Sequence, residues 1–406
     1  MLPATARRIL NRACRRSIAT AIAPVALLCA LASGQTNATK PDTTPASSTP
    51  QESKASGQPD QAPKKHKRKK LLPGDIVAAP IPISSPALGS GVVPVVGYIF
   101  ALRSSDKISP PSLVGGAGLF TNNGSRAFAV GGQLFMKQDT YRATAGFFQG
   151  NLNYNLYGVG ADAGNAGLKL PLKQEGSAFL GEVLRRVKWS FFLGGTVMTG
   201  HSVVTIRQGG STTVPVPPDV GLNTSLTALG FTVKRDTRPN RFYPTTGTDF
   251  EFDSLFFAEA FGSKYSFQSF RTLFNKYGSL SKKQVLAYNA YFCATGGQPP
   301  FYGNCIYGTQ NELRGYEAGR YLDAYMVATQ LEYRLVLPWR FGVVAFGGVG
   351  GVSPGPRQFF RSNAVLPAGG GGVRFMLSKS QHVNLRADFA VGKNEHTFSM
   401  GVGEAF

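Results

Sequence analysis

From about Asp75 to Phe406 the chain runs in segments of roughly ten residues in which apolar and polar positions alternate, separated by clusters of Gly, Asn, Ser, Pro and Lys. A period of two places successive side chains on opposite faces of a strand. In Gln330 to Leu337, Leu331, Tyr333, Leu335 and Leu337 share one face, with Gln330, Glu332 and Arg334 on the other. Thr248 to Phe256 sets Phe250, Phe252 and Phe256 against Asp249, Glu251 and Asp253, and Val383 to Phe389 sets Val383, Leu385 and Phe389 against Asn384, Arg386 and Asp388. In water each greasy face would need a second sheet or an amphipathic helix over it, and no helical pattern of useful length is present. Lipid is the natural cover. Backbone groups in lipid must all be paired, which forces strands of about 9 to 11 residues to close on themselves. Strands are predicted to begin near Val92, Ser112, Ala127, Tyr141, Asn153, Leu168, Lys188, Thr224, Thr248, Tyr265, Val285, Met326, Val343, Gly371, Val383 and His396. The expected fold is all-β, a transmembrane antiparallel β-barrel of about sixteen strands over residues 75–406.

Composition agrees with this and removes alternatives. The 406 residues include 49 Gly, 29 Phe and 15 Tyr, and only 16% are charged, too few for an ordinary soluble surface. No apolar run exceeds the one before residue 33, which excludes a polytopic helical membrane protein. The net charge of +21 is uneven: Met1 to Gly34 carries five Arg and no acid, Gln35 to Leu72 eight basic and three acidic residues, and the remainder 30 and 19. Arg7, Arg8, Arg12, Arg15 and Arg16, then the apolar stretch Ile18 to Ala32 and a small-residue site at Ala32 or Gly34, have the layout of a secretory signal peptide over residues 1–34. The apolar stretch is short for a membrane anchor, and Cys29 lacks the preceding small residue a lipoprotein signal needs. Residues 35–74, rich in Pro, Thr, Ser and Lys, read as a disordered tether. Its run from Lys64 to Lys70 is either a solvated spacer or a contact for anionic lipid or an acidic polymer; after an export signal, nucleic acid is not expected.

Two segments and the final strand sharpen the reading. Arg235-Asp236-Thr237-Arg238-Pro239-Asn240-Arg241-Phe242-Tyr243-Pro244-Thr245-Thr246-Gly247 forms a polar turn between two strands, and Leu313-Arg314-Gly315-Tyr316 lies in a long connection from about Gly296 to Asp323. At the end, Phe398, Met400, Val402, Glu404 and Phe406 share one face, which would put the Phe406 ring at the bilayer interface and Glu404 near the headgroups. Together these resemble the bacterial surface antigen, or BamA-like, outer-membrane assembly superfamily, which includes insertases and two-partner-secretion transporters. The turn (Asp236, Arg238, Phe242, Pro244, Gly247) looks like the family's Asp-x-Arg, Phe-x-Pro, Gly hairpin, and the loop like its Arg-Gly-aromatic motif. The resemblance extends over roughly Leu222 to Phe406.

That resemblance implies insertion or translocation of polypeptides or other envelope components in a bacterial outer membrane, with outer-membrane lipid, polypeptide clients or a separate periplasmic protein as partners. It implies that the loop folds into the lumen, with Arg314, Gly315 and Tyr316 latched by Arg314 against Glu332, a bond that a desolvated guanidinium requires; a solvated external loop is the alternative. The strand Ala345 to Gly350 lacks the second carboxylate the family would supply, so Asp388 or Glu251 would have to substitute. The family's periplasmic POTRA modules have no counterpart between signal and barrel. A seam is expected between the first strand, Val92 to Phe100, and the last, His396 to Phe406, weakened by Gly401 and Gly403. A passive pore or purely structural barrel is the competing function.

Cys14 and Cys29 leave with the signal peptide, while Cys293 and Cys305 at the base of the loop are either bridged, as an oxidising compartment allows, or free. Nothing points to an enzyme, a metal or a cofactor. His66, His201, His382 and His396 have no ligand spacing, no nucleophile elbow or phosphate loop occurs, and Glu251 and Asp253 read as lumen lining.

Overall fold

Alternation along the strands settles into two surfaces in the computed structural model. It describes residues 74–406 except 86, 104, 107, 208–220, 222, 301, 309–311, 360, 362–363 and 379–381. The signal peptide and nearly all of the tether lie outside the described residues. The strands are β1 (Gly74–Ser85), β2 (Gly89–Phe100), β3 (Ser112–Thr121), β4 (Arg126–Met136), β5 (Tyr141–Leu156), β6 (Leu170–Arg186), β7 (Phe191–Ile206), β8 (Asn223–Asp236), β9 (Gly247–Phe257), β10 (Phe267–Ser281) and β11 (Gln284–Gly297). They continue with the two-residue ladder β12 (Cys305–Ile306) and β13 (Leu322–Asp323), then β14 (Tyr325–Val336), β15 (Phe341–Ser353), β16 (Val365–Ser378), β17 (Val383–Gly392) and β18 (Glu395–Val402). All but β12 and β13 join antiparallel to their neighbours into one closed barrel of sixteen strands, with β1 meeting β18.

The strand number agrees with the sequence reading, but through two compensating differences. The segment expected to start near Asn153 is the end of a continuous β5, which pairs with β6 from Tyr141–Arg185 to Leu156–Leu170. The first strand is Gly74–Ser85, ahead of Val92, so Gly74 belongs to the barrel rather than the tether and Val92 to Phe100 lies in the second strand. Pro80 and Pro82 hide β1 from a pattern search because proline argues against a central strand.

One rim carries the connection between β11 and β14 (298–324) and those between β5 and β6 and between β15 and β16; the opposite rim carries tight turns and both ends of the barrel chain. Outward positions hold Val96, Phe128, Val130, Val183, Phe231, Val373, Phe389 and other exposed apolar side chains, the band that a hydrocarbon layer covers. Inward positions on β5 to β10 pack a core from Leu152, Leu172, Met198, Leu226, Phe257 and Phe267, joined by Tyr302, Ile306 and Leu322 of the long connection. Inward positions of β14, β16 and β17 are charged. Glu332, Arg334, Arg374 and Asp388 are all buried there.

Beyond Val402 the alternation fails. Gly403 has φ +88°, a left-handed conformation that ends β18. The chain turns into the lumen and Glu404 binds Arg374 (Nε to Oε2, 2.7 Å). The expectation of Glu404 at the headgroups is therefore wrong. The Phe406 ring sits 5.6 Å from the guanidinium of lumenal Arg334, not at a bilayer interface.

Candidate functional site

The loop and the charged wall meet around Arg314. Its Nη2 lies 2.5 Å from Glu332 Oε2 and its Nη1 3.0 Å from Asp388 Oδ2, while Nε and Nη2 donate to Gln330 Oε1 at 3.2 and 3.0 Å. Its flat face stacks on Phe346, 3.4 Å from guanidinium carbon to ring centroid. Where the Ala345 to Gly350 strand offers no carboxylate, it offers an aromatic face instead, which suits a desolvated guanidinium. Asp388 supplies the second carboxylate. Glu251 does not: it pairs with Lys234 (3.0 Å), which also binds Glu182 (2.9 Å), in a separate cluster beside Asp253 and Thr232.

Glu332 and Asp388 are shared. Glu332 accepts from Arg334 at 2.6 Å and lies 3.8 Å from Arg374; Asp388 accepts from Arg374 at 2.6 Å and lies 3.4 Å from Arg386. Glu404 closes the set through Arg374 and through Asn384 Nδ2 (2.7 Å), and Arg334 Nη2 donates to the main-chain oxygen of Phe406 (2.9 Å). Four guanidiniums and three carboxylates thus hold the loop, β14, β16, β17 and the final residues together. Of these groups the motif resemblance singled out Arg314 and Glu332, with Asp388 as one of two candidates for the second carboxylate. Arg334 and Arg386 were inward by alternation without an assigned role, Arg374 follows the Gly369 to Gly372 run that obscures the pattern, and Glu404 needed the turn at Gly403.

Small residues on the wall make room for the loop. Gly315 has φ +117°, and a Cβ there would lie 3.0 Å from Ala368 Cβ and 3.2 Å from Gly392 N. A Cβ on Gly392 would meet Gly315 O at 2.6 Å, and one on Gly350 would run into Tyr307 Oη. Tyr316 donates to Pro367 O and accepts from Lys393 N (3.0 Å). Burial is the larger influence on its phenol and pushes its pKa up to about 12 against the opposing Lys393 bond. Tyr307, Tyr316 and Tyr321 meet edge to face with centroids 5.4 to 6.5 Å apart. Farther along, Glu317 accepts from Tyr157 (2.5 Å) and Asn155 (3.2 Å), while Arg320 pairs with Glu395 (3.3 Å), so the loop links the end of β5 to the start of β18. Cys293 of β11 and Cys305 of β12 form a disulfide at its entry.

The β8–β9 turn reaches the same network from the opposite rim. Asp236 takes a bidentate bond from Arg238 (both 2.9 Å) and a third contact from Arg241 (2.8 Å), and Arg238 also reaches Asp249 (3.1 Å). Burial opposes the charge on Arg238, but Asp236 and Asp249 outweigh it and its pKa is raised. Asn240 Oδ1 accepts from the main-chain N–H of Phe242 (2.7 Å) and Tyr243 (3.0 Å), an Asx turn that fixes the bend. Gly247 is left-handed, with Thr237 O 2.7 Å from where a Cβ would stand. Pro244 O accepts from Arg334 Nη1 at 3.4 Å. Tyr243 lines a small cavity with Arg334, Arg374, Asn384 and Glu404. Burial, then the nearby Glu404, pushes its pKa up to about 12.

The seam is distinct from every other strand junction. β1 and β2 are in register over twelve residue pairs, β17 and β18 over eight, but β1 and β18 at Ser84–Met400 alone among the described residues. Pro80 faces Pro94 on β2, a pairing that neither residue can hydrogen bond. The donor positions of that parity on β1 therefore point toward β18, and at Pro80 and Pro82 they are missing. Prolines on β1, more than the glycines of β18, blunt this edge. Gly401 instead leaves space for Arg386, whose Nε lies 3.1 Å from where a Cβ would be. Outward Phe398 is half exposed, and Met400 is the residue of β18 in register with β1.

Comparison with known proteins gives a consistent outcome. The model of the "Omp85 superfamily domain" matches residues 125–406. Among solved structures, BamA from Haemophilus ducreyi lacking POTRA domains 1–3 superposes with a TM-score of 0.54 at 15% identity, over 82% of this chain and 71% of that one. CdiB from Acinetobacter baumannii gives 0.52 at 12% identity over 80% and 58%, and CdiB from Escherichia coli 0.51 at 11% over 82% and 68%. These likenesses concern the fold, and this chain spans 58% to 71% of their lengths. No curated protein matches it significantly.

Proposed function

The chain belongs to the Omp85 superfamily, and on that premise we propose that it is an outer-membrane barrel mediating insertion or translocation of polypeptides or other envelope components, without covalent catalysis. The observation that carries this reading is the seam. An edge with two missing donors and one register pair, beside a strand that ends early at Gly403, is the junction of the barrel that opens at least cost. A parted β18 presents unpaired N–H and C=O groups to an incoming strand, which can add by main-chain hydrogen bonding. The Arg314 latch to Glu332 and Asp388 holds the neighbouring wall from β14 to β17 rigid while the seam moves. Family members are outer-membrane proteins, and the short-turn rim with both barrel ends is read as facing the periplasm, where a separate partner protein or a polypeptide client would arrive.

The test joins the seam covalently. Ser84→Cys with Met400→Cys, bridged by a short thiol cross-linker, is expected to abolish delivery of outer-membrane or secreted proteins by cells that depend on this chain, while either single variant retains it. Unchanged delivery by the cross-linked barrel would overturn the seam mechanism.

A further inference from the structure

The chain has two tryptophans, and both stand at the tips of turns on the same rim. Val187-Lys188-Trp189-Ser190-Phe191 joins β6 to β7, and Leu337-Pro338-Trp339-Arg340-Phe341 joins β14 to β15. The two turns are built alike. Val187 N donates to Phe191 O (2.7 Å) and Leu337 N to Phe341 O (2.9 Å), and each tryptophan adopts a left-handed backbone, φ 55° and 69°. The indoles are 82% and 91% exposed. A large aromatic held out in this way, twice, by a backbone that non-glycine residues rarely adopt, points to a non-aqueous surrounding.

Cations surround them on the outer face of the same rim. Lys137 and Arg185 flank Tyr141 at 5.3 and 6.0 Å from its ring centroid. Arg235 lies 5.5 Å from Phe191, which meets Phe250 edge-on at 6.4 Å. Arg340 donates to the main-chain oxygens of Met376 and Leu377 beside the Phe341–Phe375 pair. Lys188, Lys276, Lys282 and Lys283 are exposed around the same circumference. Of the acids at this rim, Asp139, Asp236, Asp249 and Glu404 are paired on the lumen side, and Asp106 is occupied by the N–H groups of Ile108, Ser109 and Gln138. On the opposite rim Arg126, Lys169, Arg207, Lys264, Arg357 and Arg361 are exposed beside exposed Glu259, Glu175 is paired to Lys173, and neither tryptophan stands there. At the tryptophan rim, then, these acids are neutralised on the lumen side by Arg142, Arg186, Arg238, Arg241 and Arg374, and the charge presented outward around the indoles is positive.

We propose that this rim is a collar for anionic phospholipid, in which the two Lys/Arg–Trp turns sit among the headgroups and the surrounding cations bind their phosphates. The basic and aromatic units run from β4 to β16, around most of the barrel, and they continue the outward apolar band; a protein partner would cover one sector and leave the rest bare. The ligand is therefore the leaflet itself. Tryptophan is suited to this level because its ring is apolar and its N–H still finds a partner, and each nearby Lys or Arg adds attraction to an anionic surface. The inference rests on the reading of the barrel as membrane-spanning with its short turns at a phospholipid leaflet.

Because these two indoles are the whole tryptophan emission of the chain, their fluorescence reports this collar alone. The full chain is reconstituted into phosphatidylcholine vesicles containing phosphatidylglycerol, with bromine placed near the glycerol end of the acyl chains of one lipid or the other, at equal mole fraction. Brominated phosphatidylglycerol is expected to quench about fivefold more effectively than brominated phosphatidylcholine, with the preference lost at about 1 M salt, where screening acts within about 3 Å. Lys188→Gln with Arg340→Gln should reduce the preference, and Lys264→Gln on the far rim should leave it. Equal quenching by the two lipids overturns the collar while leaving the barrel in the bilayer, and is what a rim built for an acidic protein would give. A preference that survives in the double variant overturns the role of these two turns. Absence of quenching by either lipid, in protein whose electrophoretic migration still shifts on heating, overturns the collar and the bilayer placement together. Should the double variant fail to fold, the salt dependence in the natural chain decides.

Discussion

Arg314 and Glu332 are both buried, yet their removal should have unequal consequences. Without Arg314, Glu332 keeps Arg334, and Asp388 keeps Arg374 and Arg386, so no carboxylate is stranded. Without the Glu332 charge, Arg314, Arg334 and Arg374 share Asp388 and Glu404 alone. An uncompensated buried charge costs about 3–5 kcal/mol, whereas losing hydrogen bonds whose partners remain satisfied costs about 1–3 kcal/mol. Glu332→Gln is therefore expected to lower the denaturant midpoint of the heat-modifiable folded barrel more than Arg314→Ala does; equal shifts would contradict the sharing. Arg314→Lys should behave like the alanine variant, because an ammonium cannot bond Glu332, Asp388 and Gln330 in one plane or stack on Phe346. Much of this site was legible in the sequence, since strict alternation turns Gln330, Glu332, Arg334, Arg386 and Asp388 inward. Arg374 was not, because the glycines before it carry no side chain by which to read a face.

At the scale of the element, pattern held wherever strands were long and amphipathic and failed where backbone chemistry intervened. β9, β14 and β17 were readable from their side chains alone. β1 was missed because Pro80 and Pro82 look like a loop, although an edge that should pair weakly is where proline belongs. The end of β18 was misread by carrying alternation through Gly403. A non-glycine residue in a left-handed conformation costs about 1–2 kcal/mol, and nothing lies within 4 Å of a Cβ at Gly403, so Gly403→Ala acts through backbone strain alone. Alanine there should favour continued extension of β18 and withdraw Glu404 from Arg374 and Asn384. A double-mutant cycle reads this directly: Glu404→Gln should cost little in the Gly403→Ala background and its full amount in the natural chain. If the two effects simply add, Gly403 does not control the tail.

For the whole molecule, the same lumen decides between a transporter and an open pore. A sixteen-stranded barrel is wide enough to conduct, so what fills it matters more than strand number. Here the connection between β11 and β14 enters past the Cys293–Cys305 disulfide, buries Tyr307, Leu313, Tyr316, Tyr321 and Leu322, and ends against β14, while Arg314 ties it to β14 and β17. From below, the β8–β9 turn and the final residues meet Arg334 and Arg374. Each buried Leu in that connection adds about 1.5–3 kcal/mol by leaving water, so the plug should not depend on Arg314 alone. In planar bilayers the natural chain is expected to show small, infrequent openings. Arg314→Ala should raise the frequency of openings by loosening one anchor, without producing a steady large current. Replacing residues 307–321 with a short Gly-Ser linker should produce that current, because both the apolar packing and the latch are then gone. A large constant conductance in the natural chain would favour the passive pore, and an unchanged small conductance in the linker variant would mean that the β8–β9 turn and the inward end of the chain are sufficient to close the lumen.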